Sequence, residues 1–428
     1  MPWYGELPER WETHKVSELF VERREKVSDT DFAPLSVSKG GIVPQIATVA
    51  KSNAGDNRKL VRKGDFAINS RSDRRGSSGI SQYDGSVSLI NIVLTPRSET
   101  NGKYWHYLLR SHNFIEEYYR NGRGIVADLW TTRLSEMKTV YLPLPPRDEQ
   151  DQIVRYLDWK VSQINKLINA KRRQIELLGE QKRAVVNKAV MRGGEGWKRM
   201  RLKNVTTKVI DCPHETPVYS IDGKYYVIRT ADQEFCAIRD NSRMYLLEEE
   251  EYQHRIRRSS LQKDDIVYGR EGERWGFACL VPENDTYCLG QRIMQFRCDT
   301  KKVVPAFVMY ALNADYVRSQ GVVDTFGSTS PHVNISTIRN YYLIVPDITE
   351  QDGIVVHLDQ QCSRIDIIVS KFNDEITLLG EYRTRLISDV VTGKLDVRGV
   401  AVPEYEVVED AVGDAEIKEA EDSEVTEE

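Results

Sequence analysis

The stretch LPPRDEQDQIVRYLD at residues 144–158 returns as VPDITEQDGIVVHLD at residues 345–359, with eight of fifteen positions identical and no gap. Sliding residues 149–191 by 201 places lays them over 350–392, and 15 of the 43 pairs are identical. Self-similarity at a fixed offset sets the architecture before any local reading does. It continues upstream, where KGDFAINS (63–70) resembles KDDIVYGR (263–270) and ERWETHKVSELF (9–20) resembles EGWKRMRLKNVT (195–206). The chain is two copies of one unit, each a globular part followed by a long helix. The offset grows between residues 197 and 263, which places the extra residues of the second copy there.

The prolines at 143, 145 and 146 end an extended segment and cannot enter a helix interior. Asp148, or Thr349 in the second copy, is the expected cap of the helix that follows. Glu149 and Glu350 then sit at its positive dipole end. Apolar residues recur at steps of four and three. The seam runs through Leu157, Ile164, Ile175 and Leu178 in the first copy and Leu358, Ile365, Ile376 and Leu379 in the second. That spacing predicts a coiled coil, and 43 residues make a rod of about 65 Å. Two equal helices in one chain predict an intramolecular antiparallel pair rather than a homodimer. Lys171, Lys182 and Arg383 interrupt the seam and are expected to snorkel outward, so that leucine at 182 and 383 leaves function intact.

The predicted fold class is α+β: two globular domains of repeated topology separated by two long helices. Expected boundaries are 1–146 and 193–346 for the globular domains and 147–192 and 347–398 for the helices. Residues 399–428 form an acidic tail expected to be disordered. Strands are expected at 87–94 and 292–297, and helices at 104–120 and 305–320.

Net charge is −5, yet residues 401–428 hold twelve acids against one lysine and leave residues 1–400 at +6. Six cysteines without a CxxC pair fit reduced cytoplasmic thiols. Cys212 and His214 stand too nearly alone for zinc, and no metal site is expected. No stretch is apolar enough to span a membrane.

A globular unit closing on residues 143–146, then Glu149 and Gln150, then a helix ending through Leu379, Arg383, Ile387 and VTGK (391–394), all duplicated, resembles the specificity subunit of type I restriction-modification systems. The resemblance covers residues 1 to about 398. The first helix departs from it, ending in AVMRGGEGW (189–197). It implies two target recognition domains that each read half of a split duplex DNA sequence. Paired helices set the gap and dock two methyltransferase subunits, and restriction/translocase subunits join them. The seam residues, with Glu149, Gln150, Glu350 and Gln351, become candidate partner contacts. No catalysis is implied for this chain. S-adenosylmethionine, ATP and magnesium are expected in partner subunits, in the cytoplasm. The residues agree: PLPPRD lacks the aromatic and amide of an adenine-flipping loop. VTGKLD has Leu395 where a phosphate loop needs a hydroxyl.

DNA reading needs cations for phosphates and side chains that reach base edges. In the first copy the candidates are Arg71, Arg74 and Arg75 in a Gly/Ser loop, with Arg120 and Arg123 in YRNGRG. In the second they are Arg270 and Arg274 in YGREGERWG, Ser328, Thr329 and His332 in GSTSPHVN, and Arg257 and Arg258 in RIRRSS. Arginine forks suit guanine, so alanine at Arg270 is expected to weaken one half-site only. The rival reading is a two-domain protein-binding adaptor on a coiled-coil scaffold.

Overall fold

A computed structural model describes residues 2–45, 55–97, 100–124, 130–191, 193–272, 274–325 and 331–410. The chain divides into two compact units, one of residues 1–173 with 372–428, the other of residues 174–371. The division falls inside both long helices, not at the prolines, so each unit is a globular part plus half of each helix. The helices span Arg147–Met191 and Ile348–Val391. The second stops seven residues before the expected end at 398. Gly393 there has φ +72, and a Cβ on it would lie 2.4 Å from Pro8.

In the first unit Glu12–Lys15 pairs antiparallel with Tyr141–Leu144. Beside them lies a four-stranded antiparallel sheet ordered Phe20–Glu22, Asn91–Pro96, Phe66–Asn69, Ser78–Ile80. The second unit repeats both features, with Lys198–Arg201 on Tyr342–Val345 and a sheet ordered Thr206–Asp211, Ile293–Cys298, Ile266–Gly269, Ala278–Leu280. These sheets bury nearly every side chain of their central strands, as FAIN at 66–69 and IVYG at 266–269. Burial on both faces explains why these strands read as continuous apolar runs rather than alternating ones.

The expected strand over 87–94 is instead the end of Gly85–Val87 and the start of Asn91–Pro96. The expected helix 104–120 is two, Gly102–Leu108 and His112–Arg120. Ser111 separates them, its hydroxyl accepting from the Phe114 N–H at 3.4 Å. Likewise 305–320 divides into Pro305–Asn313 and Asp315–Arg318 at Ala314, which is extended. The units differ outside the shared frame. The first adds short strands Lys26–Val27, Arg58–Val61 and Gly85–Val87. The second adds Tyr225–Ile228, parallel to Tyr287–Leu289, and the helix Glu249–Ile256.

The repeated motif is a joint. Gln150, 3% exposed, accepts from the Asn101 N–H at 3.1 Å and donates to the Pro145 carbonyl at 2.9 Å. Gln351, fully buried, accepts from the Val304 N–H at 2.7 Å and donates to the Pro346 carbonyl at 2.9 Å. Each carboxamide ties the proline strand and the start of a neighbouring helix to the long helix. Glu149 accepts from the Trp11 indole and Glu350 from that of Trp197, both at 2.9 Å. About two turns further on, Tyr107 donates to Asp158 at 2.8 Å and Tyr310 to Asp359 at 2.7 Å. Burial, with the adjacent carboxylate, pushes both phenols up. Thr349 is not the cap. The second helix begins at Ile348, and the Asp347 carboxylate accepts from the Glu350 N–H at 2.9 Å. Asp148 lies in the first turn of the first helix, where its charge suits the dipole.

The helices pack antiparallel within each unit. In the first, Lys171 meets Glu375 and Asn165 meets Arg383; in the second, Lys182 meets Asp366 at 2.7 Å. Leu157 and Leu358 are fully buried and Ile164 and Ile365 nearly so, because the globular part covers them as well. Ile175, Leu178, Ile376 and Leu379 are half-buried. The three seam bases do not simply reach for water; each finds an acid. Lys182 is only 12% exposed, and Arg383 bonds both Asn165 and Asp410. Nor are residues 399–410 disordered: they lie along the first long helix, held by Gln152, Ser162, Asn165, Asn169 and Arg172. Residues 411–428 lie outside the described part. None of the six cysteines is paired, and among the described residues no helix is long and apolar enough to cross a membrane.

Gln351→Ala removes the side-chain partner of the Val304 N–H and of the Lys302 and Pro346 carbonyls, and is expected to cost about 1–3 kcal/mol, read from the denaturant midpoint. His106 gives a pH signature. Burial, reinforced by the Arg110 guanidinium that donates to its Nε2 at 2.8 Å, pushes its pKa from 6.5 down to about 3. The unfolded chain therefore binds this proton first. The neutral ring's stability is complete above pH 6.5 and is lost as pH falls toward 3, by at most about 1.4 kcal/mol per unit. His106→Gln is expected to flatten the fall of Tm between pH 6.5 and 4, whereas an unchanged slope would place the acid sensitivity elsewhere.

Candidate nucleic-acid interface

In the first unit the strand Phe66–Asn69 runs into a tight loop over residues 70–77. The Asn69 carboxamide accepts from the Arg71 N–H at 3.0 Å, and Ser77 N–H closes back onto the Arg74 carbonyl at 3.0 Å. This loop clasps the one that follows the helix His112–Arg120. Ser72 N–H donates to the Trp130 carbonyl at 3.1 Å and Thr132 N–H to the Ser70 carbonyl at 3.0 Å. Arg71 and Arg123 both form β-bridges to Thr131. The two basic loops singled out in the sequence thus become one surface.

Its arginines are not equivalent. Arg120 and Arg123 are 70% and 84% exposed, with side-chain ion pairs to Glu117 at 2.6 Å and Glu136 at 3.7 Å. Arg75 pairs with Glu116 and lies over the Tyr119 ring, 5.5 Å from its centroid. Arg74 is largely covered. Arg71 is exposed, and its guanidinium has no hydrogen-bond or ion-pair partner among the described residues. A cavity of about 610 Å3 opens beside the loop, lined by Ser72, Arg75, Tyr119, Arg120 and Trp130 among others.

The second unit repeats the clasp with different chemistry. Glu271 bridges to His332, Gly272 N–H donates to the Pro331 carbonyl at 2.9 Å, and Val333 N–H to the Arg270 carbonyl at 3.1 Å. At the position equivalent to exposed Arg71 stands Glu271. Arg270 faces inward and its side chain is only 5% exposed. It reaches Glu271 at 2.7 Å, His332 at 3.2 Å and Asp211 at 3.6 Å. Arg274 donates to the Gln233 carbonyl at 2.7 Å and to that of Ala231 at 3.1 Å. Of these two candidate DNA contacts, Arg270 braces the loop from within, while Arg274 stays half-exposed with its guanidinium on main-chain carbonyls. Strand packing on both faces leaves a residue just past Gly269 no path to solvent, and its charge must be matched inside. Ser328 and Thr329 lie outside the described residues.

In RIRRSS, Arg255 turns inward onto the Leu289 and Glu215 carbonyls at 2.8 and 2.7 Å. Arg257 and Arg258 remain exposed, the former paired with Glu215 at 3.4 Å. Arg292 was missed by the sequence reading. It is 59% exposed, with φ +66, next to the Glu271 carboxylate at 3.9 Å. A lone arginine after a Gly-Gln pair carries no spacing signal; its position comes from the turn. Asp211, Cys212 and His214 bring donor atoms within 4.8 Å of one another. The Arg270 cation at Asp211 and the burial that raises the Cys212 thiol pKa both oppose a metal ion there.

Arg270→Met would remove the buried cation that Asp211 and Glu271 share. It is expected to cost about 3 kcal/mol in a denaturant melt without DNA. An unchanged melt would contradict the bracing role.

The model of the family described as type I restriction modification DNA specificity domain matches residues 8–177 and again 194–378. The type I restriction enzyme MjaVIII specificity subunit of Methanocaldococcus jannaschii is 21% identical over 288 residues, 61% of this chain and 64% of that protein, so the match spans just under two thirds of that relative. The putative type I restriction enzyme MjaX specificity subunit of the same organism is 19% identical over 435 residues, 92% of this chain and 96% of that one. A solved chain from work on complex assembly and conformational transition of the type I R-M system shares the fold. Its TM-score is 0.59 at 14% identity, covering 91% of this chain and all of that one. The repeat, the duplicated joint and the two clasped loops are thus two copies of one known domain, and the chain belongs to the family of type I restriction modification DNA specificity domains.

Proposed function

We propose that this chain is the specificity subunit of a type I restriction-modification assembly, reading a split duplex DNA target with one half per unit. The carrying observation is the pair of clasped loops. They share a backbone arrangement and occupy equivalent positions, yet one presents exposed Arg71 where the other presents Glu271 held against His332 and Arg270. A single symmetric target would not need two chemistries on one frame. An exposed arginine suits a guanine edge or a phosphate, and a carboxylate suits the amino group of cytosine.

The long helices, on this reading, set the gap and dock two methyltransferase subunits. Large apolar side chains left open to solvent support a docking role: Val356, Ile367, Leu378 and Tyr382 on the second helix, Leu167 and Leu177 on the first. Gln150 and Gln351 are spent on the joint and are not docking groups. Methyl transfer and cleavage, with S-adenosylmethionine, ATP and magnesium, fall to partner subunits in the cytoplasm, joined there by restriction/translocase subunits.

Footprinting of the assembled methyltransferase complex tests this. Arg71→Ala is expected to weaken protection of one half-target only and to lower the slope of log affinity against log salt by about 1 if the contact is to phosphate. Equal loss at both halves would overturn the two-reader model. A complex with no salt-dependent retention of duplex DNA would leave the adaptor reading instead.

A further inference from the structure

Residues 399–410, GVAVPEYEVVED, hold no regular hydrogen-bonded element, yet they are fixed to the first unit along their length. Half-buried positions recur at Val402, Tyr405 and Val408, every third residue. That is the period of an extended polyproline II strand, which Pro403 favours. Such a strand satisfies none of its own backbone groups, and here a helix face does so for it. Gln152 donates to the Val397 and Val400 carbonyls at 2.9 and 2.7 Å. Ser162 donates to the Glu406 carbonyl at 2.9 Å and accepts from the Val408 N–H at 2.5 Å. Asn165 and Asn169 donate to the Val408 and Glu409 carbonyls, each at 3.0 Å. Residues 162, 165, 169 and 172 step by three and four and so share one helix face.

The strand ends in a clamp. Asp410 accepts from Arg172 at 2.5 Å and from Arg383 at 2.7 Å, so one carboxylate links the first long helix to the second. Partial burial opposes its ionisation, but the two guanidinium bonds prevail and hold it below the usual carboxylate range. The set belongs to one helix only. The counterpart positions of the second helix carry Ser363, Asp366, Ser370 and Asn373, without the paired amides or the arginine.

We infer that the face of the first long helix from Gln152 to Arg172, with Arg383 across the seam, is a binding groove for an extended acidic peptide. The chain's own residues 399–410 fill it in cis as a detachable latch. The groove reads main-chain carbonyls with side-chain amides and a terminal acid with two arginines. Any protein docking on this face must first displace the latch. The inference rests on contacts within the first unit and stands or falls independently of the DNA-reading proposal.

The test uses the chain truncated after Arg398, checked for native circular dichroism, and a fluorescein-labelled GVAVPEYEVVED peptide followed by anisotropy. Saturable binding is expected, at least tenfold tighter to the truncated than to the full-length chain, where the groove is filled. Asp410→Lys in the peptide is expected to weaken binding at least tenfold. No saturable binding to the folded truncated chain, or equal binding to both chains, overturns the inference. If the truncated chain does not fold, hydrogen exchange on the full-length protein decides. Ser162→Ala and Asp410→Lys must each speed exchange at the Val408 amide at least tenfold, and unchanged exchange rejects the latch.

Discussion

Gln150 and Gln351 carry the constraint on which each unit depends. A buried carboxamide must satisfy both of its ends, because an unpaired one costs more than its bonds return. Here one end takes the N–H that opens a neighbouring helix and the other takes the carbonyl of the strand just before the long helix. With Trp11 on Glu149 and Tyr107 on Asp158, and Trp197 on Glu350 and Tyr310 on Asp359, the same joint is made twice. It fixes where each helix leaves its globular part, and that requirement explains why these residues agree between copies.

Beyond the joint the helices are held by progressively weaker means. Near it the seam is dry, because sheet, short helices and partner helix all cover it. Toward the middle the seam is half-exposed, and bases enter it with their acids nearby. Surface ion pairs of this kind contribute roughly 0–1 kcal/mol each, so they choose register more than they add stability. The latch adds cover over the same part of the first unit, exchanging strand–water hydrogen bonds for bonds to Ser162, Asn165 and Asn169.

The two clasped loops are positioned by this scaffold. Both clasps use the same backbone bridges, so their geometry is inherited, while the side chains that emerge are free to differ. In the first unit that freedom leaves Arg71 exposed on the surface, with no side-chain partner among the described residues. In the second it builds a network of Arg270, Glu271, His332 and Asp211 that fixes the loop from beneath.

The sequence by itself determined the duplication, the helix seams and the family, because each is written as spacing or identity between positions. It could not separate Arg71 from Arg270. Both are arginines just past an apolar strand, and only packing decides that one meets solvent and the other three carboxylate or imidazole groups. It also misplaced the start of the tail. Composition makes residues 399–410 look unable to bury a core, and they do not bury one. Their order comes from amides and arginines more than two hundred residues away in the first helix, beside Arg383 nearer at hand. Local composition records nothing of partners at that distance, and tertiary structure alone brought them together.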